Sequence, residues 1–531
     1  MRSLSGVLLL GLAAMLAAPD PTVAQATAPT PEIAITGFID TITSWSKNLQ
    51  DSLLTRTGER EWYVRNRGRL DVIGQLGSAK FVMGLEIDST WGQVSGGDNN
   101  LAGGGIFSQR FGATSAFDLN TDTQGSVEMR HLYADFPLPL IPFSTTLRLG
   151  AQPFAVNYKL AALATGDFGG ADLQVNFSRT LKWHLTYVAL EENLTGGRRG
   201  LGFGRGDDWA LITSVEVAPI RGLDLRPTYA LLQAYGALPL NSRQAVGGPT
   251  GPPTFTRASP GGALGVGHVE NRHTIGMDAR WRSGPFSIDP TFFYQFGSRD
   301  TDNPFVPATS SARNRVTSAS ISAFFFDVIG GWWLGPVLLE GRYMYTSGNR
   351  PKDQLHRNVN YYQPIDTDTT YWAAGWGEIY SLGIDYFNGA IKGMGVAIGM
   401  DRYGRQQFAV RATYVLTHEI DLRAVVTPGW TARSVDTDGT TAFAGNTGGP
   451  ITCNTAASGR GAGCNGDASY MGTEVDLGLT WRFAPGLSFD LAGGVLFTGS
   501  ALDTSEVLNG VLTKRSARNV YTIASRVRFA F

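Results

Sequence analysis

Cysteine is almost missing from this chain. Of 531 residues only Cys453 and Cys464 are cysteines, and both fall in the short stretch "CNTAASGRGAGC". Neither zinc-ligand nor haem-attachment spacing is present. The pair suits one local disulfide in an oxidising compartment, with two free thiols as the alternative. Charge is also scarce: Asp, Glu, Lys and Arg make up 17% of residues, and the formal net charge is -1. Such a balance gives no global attraction to nucleic acid or to strongly charged partners. The six histidines show no metal-ligand spacing; His184 reads as polar-face and His131 has no clear parity. Long apolar runs are lacking too. Residues 323–339, "AFFFDVIGGWWLGPVLL", are interrupted by Asp327, Gly330, Gly331 and Pro336, which suits two strands about a tight turn better than a membrane helix.

The N-terminus is the exception. "MRSLSGVLLLGLAAMLAAPDPTVAQA" has one early basic residue, an apolar run and then small residues. It reads as a secretory signal peptide over residues 1–26, leaving 27–531 as the mature chain. A retained membrane anchor is the alternative, although the run is short for a span.

What the chain has in quantity is alternation. "EWYVRNRGRLDVIG" puts Trp62, Val64, Leu70 and Val72 on one face and Glu61, Arg65, Arg67, Arg69 and Asp71 on the other. "KFVMGLEID" separates Phe81, Met83, Leu85 and Ile87 from Lys80, Glu86 and Asp88. "TEVDLGLTWRF" does the same with Val475, Leu477 and Leu479 against Glu474, Asp476 and Arg482. A period of two marks strands with one apolar and one polar face. These runs exceed the usual strand of about 5–6 residues, and their polar faces are ionised. Tight turns at "QLGSAK", "PLPLIPFS", "APIRG", "RSGP" and "APG" alternate with long Gly-, Pro-, Asn- and Asp-rich connections near 94–125, 237–268, 349–376 and 435–467. The expected fold is all-β: a single closed transmembrane antiparallel barrel of about 20 strands, 18 being acceptable, with short turns on one side and long loops on the other. The count is least defined over residues 377–417. Aromatics gather toward both strand ends, Trp62, Trp91 and Trp430 on the long side and Trp281, Trp481 and Phe483 on the short side, as interfacial girdles do.

The chain ends "NVYTIASRVRFAF", with Val527, Phe529 and Phe531 on one face. This strand resembles the C-terminal strand of Gram-negative outer-membrane proteins, and "ITGFIDTITSW" is similar to the first strand of many porins. The resemblance to porin-like barrels spans the mature chain as architecture and is sharp at the two ends. It implies an outer-membrane location, periplasmic short turns, extracellular long loops, and Phe531 as a signal read by the barrel-assembly machinery. It also implies outer-membrane lipid as a partner and a homotrimer as the assembly to test. A third outer loop folded into the lumen is a further implication, with Tyr158, Lys159, Asp167 and Phe168 as constriction candidates on "PFAVNYKLAALATGDFGG"; a loop lying over the rim is the alternative.

If the apolar face meets lipid, the charged face lines the bore, because a midplane Arg or Lys facing lipid costs about 2–4 kcal/mol. Parity then makes Arg65, Arg67, Arg69, Glu86, Asp88, Arg148, Arg280, Arg282, Arg342, Arg411, Glu474, Asp476 and Arg482 pore-lining. They serve either as opposed rings that filter solutes or as interstrand salt bridges that fill the wall. No cofactor or metal is implied: the Asp-Thr-Asp repeats lack a full calcium loop, and no nucleotide setting or catalytic constellation can be assigned. The expected function is a passive porin for small hydrophilic solutes, not an enzyme. The rivals are a sheath around an electron-carrying haem protein, an adhesive or structural barrel plugged by its loops, and a barrel enzyme.

Overall fold

The computed structural model describes residues 30–49, 60–91, 127–139, 141–159, 162–191, 208–234, 270–302, 316–350, 353, 357–365, 376–381, 383–384, 403–435, 466–508 and 511–531. Residues 1–26, read above as a signal peptide, the two cysteines and most of the long connections lie outside them.

The alternating runs form long strands. The first nine are β1 (Glu32–Lys47), β2 (Arg60–Leu76), β3 (Ala79–Thr90), β4 (Val127–Pro137), β5 (Ser144–Ala155), β6 (Thr165–Asn176), β7 (Leu181–Glu191), β8 (Asp208–Ile220) and β9 (Leu223–Ala234). Then come β10 (Glu270–Ser283), β11 (Phe286–Asp302), β12 (Val316–Leu334), β13 (Val337–Thr346) and the two-residue β14 (Asn358–Val359). The last are β15 (Arg405–Val415), β16 (Ile420–Val435), β17 (Ala468–Ala484), β18 (Leu487–Thr498), β19 (Thr504–Leu508), β20 (Val511–Arg515) and β21 (Val520–Ala530). β19 and β20 pair only with each other. The main sheet holds 19 strands, of which β14 touches β12 over two parallel residue pairs and is no part of the wall, leaving 18. Each wall strand pairs antiparallel with its sequence neighbour, and β21 pairs back onto β1, so the ring is closed. The sequence expectation of about 20 strands is therefore corrected to its lower bound. The difference lies in residues 377–417, where among the described residues only β15 joins the wall.

Wall strands run from 10 residues in β13 to 19 in β12. Ten residues at a tilt near 40° rise roughly 25 Å, the height of an outer-membrane apolar band. At the seam, Gly37 and Phe531 exchange backbone hydrogen bonds of 3.0 Å in each direction. A Cβ at Gly37 would lie 2.2 Å from the Arg69 carbonyl oxygen, so glycine permits this close approach. The seam's inner side is fastened by Arg528, whose guanidinium donates twice to the buried Asp40 carboxylate at 2.6 Å.

The two faces of the wall differ as alternation requires. Ile33, Ile35, Ile39, Met277, Phe292, Val410 and Leu477 are outward and exposed, whereas Asp40, Arg67, Glu86, Asp278, Asp327 and Glu474 are inward and buried. Outward aromatics form contacts at both rims. Phe286–Trp332, Trp481–Phe483 and Phe529–Phe531 lie at the short-turn rim. Tyr187–Trp209, Phe324–Tyr345 and Trp430–Tyr470 lie toward the long connections. No described helix is long and apolar enough to cross a membrane.

The stability of this wall depends on how deeply its ion pairs are enclosed. Arg299, 2% exposed, donates to Glu270, which is fully buried; the Arg482–Asp421 pair is open to solvent on its arginine side. Arg299→Met is expected to destabilise the folded barrel by about 3–5 kcal/mol, and Arg482→Met by no more than about 1 kcal/mol. Urea unfolding in micelles, followed by tryptophan fluorescence, checks the difference.

Candidate functional site

The candidate site is the interior of the ring. Three described stretches turn into it: residues 156–159 with 162–164 between β5 and β6, and residues 357–365 and 376–381 with 383–384, both between β13 and β15. A stretch that leaves the wall carries backbone groups with no ladder partner, and each must find one inside. Wall side chains supply them.

The Tyr158 backbone N–H donates to the Asp278 carboxylate of β10 at 2.6 Å, and Asp278 also accepts from the Thr291 hydroxyl of β11 at 2.6 Å. The Lys159 ammonium donates to the backbone carbonyls of Asp289 and Asp327 at 2.6 and 3.0 Å, and lies 3.3 Å from the Asp327 carboxylate. Burial, outweighing the attraction of Asp327, holds this ammonium below the usual lysine range. β12 stands seven strands from β5 in a ring of eighteen, so the chain leaving β5 reaches, through Lys159, strands on the far side of the ring. Tyr158 offers its ring to Arg280, whose guanidinium carbon is 3.8 Å from the centroid, with Arg226 at 5.8 Å.

Residues 357–365 dock through amides. The Gln363 N–H donates to the Gln295 side-chain oxygen at 3.0 Å, and the Gln363 carbonyl accepts from Gln295 at 2.6 Å and from Arg272 at 2.9 Å. Arg299 donates to the Tyr361 hydroxyl at 3.1 Å. The two stretches also join each other: the Tyr362 hydroxyl donates to the Ala162 carbonyl and the Ile365 N–H to that of Leu163, both at 2.7 Å.

Residues 376–384 hang on carboxylates of β17. The Ile379 and Tyr380 N–H groups donate to Glu474 at 2.6 and 2.7 Å, and that of Glu378 reaches Asp476 at 3.3 Å. Gly377 sits at φ +122°, and a Cβ there would meet the Glu474 carboxylate at 2.6 Å, so only glycine turns the chain here. Trp376 lies against Arg411, 4.2 Å from centroid to guanidinium. Burial raises the Tyr380 phenol well above its ordinary value.

The interior is not polar throughout. Val156, Leu163, Tyr362, Ile365 and Tyr380 pack with inward Leu232, Phe293, Phe325 and Met344 in one apolar cluster. Parity anticipates an ionised lining, but the inward stretches bring apolar side chains that the wall must match.

The anticipated lining residues mostly pair with close neighbours along the wall rather than facing each other across water. Arg67 donates to Asp88 at 2.8 and 2.6 Å and lies 2.7 Å from Glu86, which also accepts from Arg69. Arg65 is 2% exposed beside them. Arg148 pairs with Asp135 at 2.5 Å, Arg342 with Asp327 at 2.6 Å, Arg411 with Glu340 at 2.6 Å and Arg482 with Asp421 at 2.6 Å. Arg282 pairs with Asp289. Arg280 holds Asp224 only at 3.4 Å and is half exposed. The salt-bridge alternative thus describes most of the ladder. Of the four constriction candidates, Tyr158 and Lys159 lie on the inward stretch, whereas Asp167 and Phe168 belong to β6. Of this segment, the described residues that leave the wall are 156–159 and 162–164, because pairing between β5 and β6 extends to Ala155–Thr165.

Parity reasoning missed several contributors. Arg130 and His131 both reach Asp167, at 2.7 and 2.9 Å, because Arg130 is an extra residue in β4 opposite Gly84 and Leu85. Gln295 and Gln363 carry no charge, and nothing in their local sequence marks them.

No family model matches the chain, and no curated protein does. Among solved structures, it is similar to Pseudomonas aeruginosa OccK8 (OprE) at 11% identity, covering 94% of this chain and 98% of that one with a TM-score of 0.46. It is also similar to OccD3 (OpdP) of the same organism at 10% identity, 96% and 95% coverage and TM-score 0.46. For Acinetobacter baumannii OccAB4 the values are 9%, 94%, 98% and 0.45. The architecture is assigned on strand pairing alone: a closed, antiparallel barrel of 18 strands.

The docking of residues 376–384 is testable. Glu474→Ala removes the acceptor of two backbone donors and is expected to make the intact barrel cleavable by chymotrypsin after Tyr380, a bond protected in the parent. Mass analysis of the fragments identifies the cut.

Proposed function

We propose that the barrel is an outer-membrane porin, a passive channel for small hydrophilic solutes or ions, and that it catalyses no reaction. The observation that carries this reading is the ring of eighteen strands whose apolar face is exposed and whose inner face holds the ionised side chains. A wall with no free edge satisfies its backbone in lipid, and a ring of this size has room for a water-filled lumen. In this reading the short turns face the periplasm and the long connections face outward. Solutes pass the level of Tyr158, Lys159, Arg280 and Trp376, where inward stretches narrow the path. Phe531, 50% exposed at the seam, serves as the assembly signal.

One observation favours a plugged structural barrel instead: the apolar cluster of the inward stretches is continuous with the wall. Planar-bilayer recording separates the two. Ohmic conductance is expected for the porin, and silence of a verified folded barrel decides for the plug. Within the porin reading, Arg280→Gln is expected to move the reversal potential in a salt gradient toward cation preference; an unmoved potential means that this wall charge does not sort ions. Deleting Phe531 is expected to reduce the heat-modifiable, folded fraction in outer membranes severalfold, measured by gel mobility without boiling.

A further inference from the structure

The outward face near the seam has a feature that transport does not use. On this face Lys47 of β1 and Arg60 of β2 are direct cross-strand partners, at the rim of the long connections. Like charges placed opposite one another repel, and neither side chain has an ion pair among the described residues. Lys47 rests over the Tyr521 ring, 5.8 Å from its centroid. The next outward row toward the membrane begins with Trp62 and Trp45, also direct partners, and continues through Ile523 and Gly493 to Leu477. Gly493 has no side chain, and the wall sinks there into a groove of about 700 Å³ lined by Trp45, Leu477, Leu491, Val495, Tyr521 and Ile523. That volume lies in the range of small-molecule sites.

A pair of cations with no ion pair among the described residues, above an aromatic step and an apolar groove, has the charge and polarity profile that complements one anionic amphiphile. Basic side chains at the interface recruit phosphate headgroups, and a groove between interfacial rings receives hydrocarbon. We propose that this face is a binding site for a phosphorylated lipid of the surrounding leaflet, with its phosphate between Lys47 and Arg60 and one acyl chain along Gly493. The ammonium and guanidinium complement the phosphate, and the lipid in turn relieves their mutual repulsion. The proposal rests on the membrane-spanning reading but not on conduction, and its test needs no transport.

The test is native mass spectrometry of the folded, detergent-solubilised chain titrated with diphosphoryl lipid A, and with its phosphate-free counterpart. The parent is expected to retain one diphosphoryl lipid and to bind the phosphate-free form at least tenfold more weakly. Lys47→Gln combined with Arg60→Gln is expected to lower affinity for the diphosphoryl form at least tenfold and to leave the phosphate-free form unchanged. Gly493→Leu, which fills the groove, is expected to weaken both. The rim variant leaves the apolar lining of the groove unchanged, so it decides the matter even if Gly493→Leu fails to fold. Equal affinity for the two lipids, undiminished binding by the rim variant, or a second copy of the chain occupying the face in place of lipid overturns the proposal.

Discussion

Backbone pairing around a closed ring is the constraint on which the rest depends. Eighteen strands satisfy one another only if the last meets the first, and here β21 meets β1 with Arg528 fastened to buried Asp40 on the inner side. Closure fixes two faces with opposite obligations. The outer face must tolerate hydrocarbon and does so with aliphatic side chains between two aromatic belts. The inner face must host whatever a ring of this breadth encloses, and a breadth of this order exceeds what wall side chains alone fill.

Chain segments fill that surplus, and the same requirement recurs at a smaller scale. Each stretch that leaves the wall gives up ladder hydrogen bonds and regains them from side chains fixed on strands: Asp278 for residues 156–164, Gln295 and Arg272 for 357–365, Glu474 for 376–384. An unsatisfied buried backbone group costs about 1–3 kcal/mol, so these donors and acceptors determine where a stretch can rest. The first two stretches are also tied to each other, while the third is held by side chains of β15, β16 and β17.

Much of this was legible in the sequence, for a definite reason. Side chains of a strand alternate with a period of two, so the facing of Arg67, Glu86, Arg342 or Leu477 follows from parity once the apolar face is known. The tight turns were legible because Gly and Pro punctuate them. The inward stretches were not. Residues 377–384 alternate well enough to pass for a strand, and only contact with Glu474, almost a hundred positions away, shows otherwise. The length of β6 was also hidden, because glycines near Asp167 read as a loop while their backbone stays paired to β5. Whether charges face each other or pair sideways depends on register, which composition does not encode.

The extra residue in β4 shows how far one position reaches. Up to His131 the strand keeps step with β3, Tyr133 opposite Val82 and His131 opposite Gly84; past Arg130 the next match is Met129 with Leu85. Arg130 thus acts as a phase slip in the two-beat rhythm of the wall. Were Arg130 instead paired as an ordinary strand residue, one half of the strand would turn inside out, bringing either Met129 to the interior or Tyr133 and Asp135 to the outer face. Insertions and deletions in such a wall are tolerated in even steps, and an odd one survives only where a bulge absorbs it.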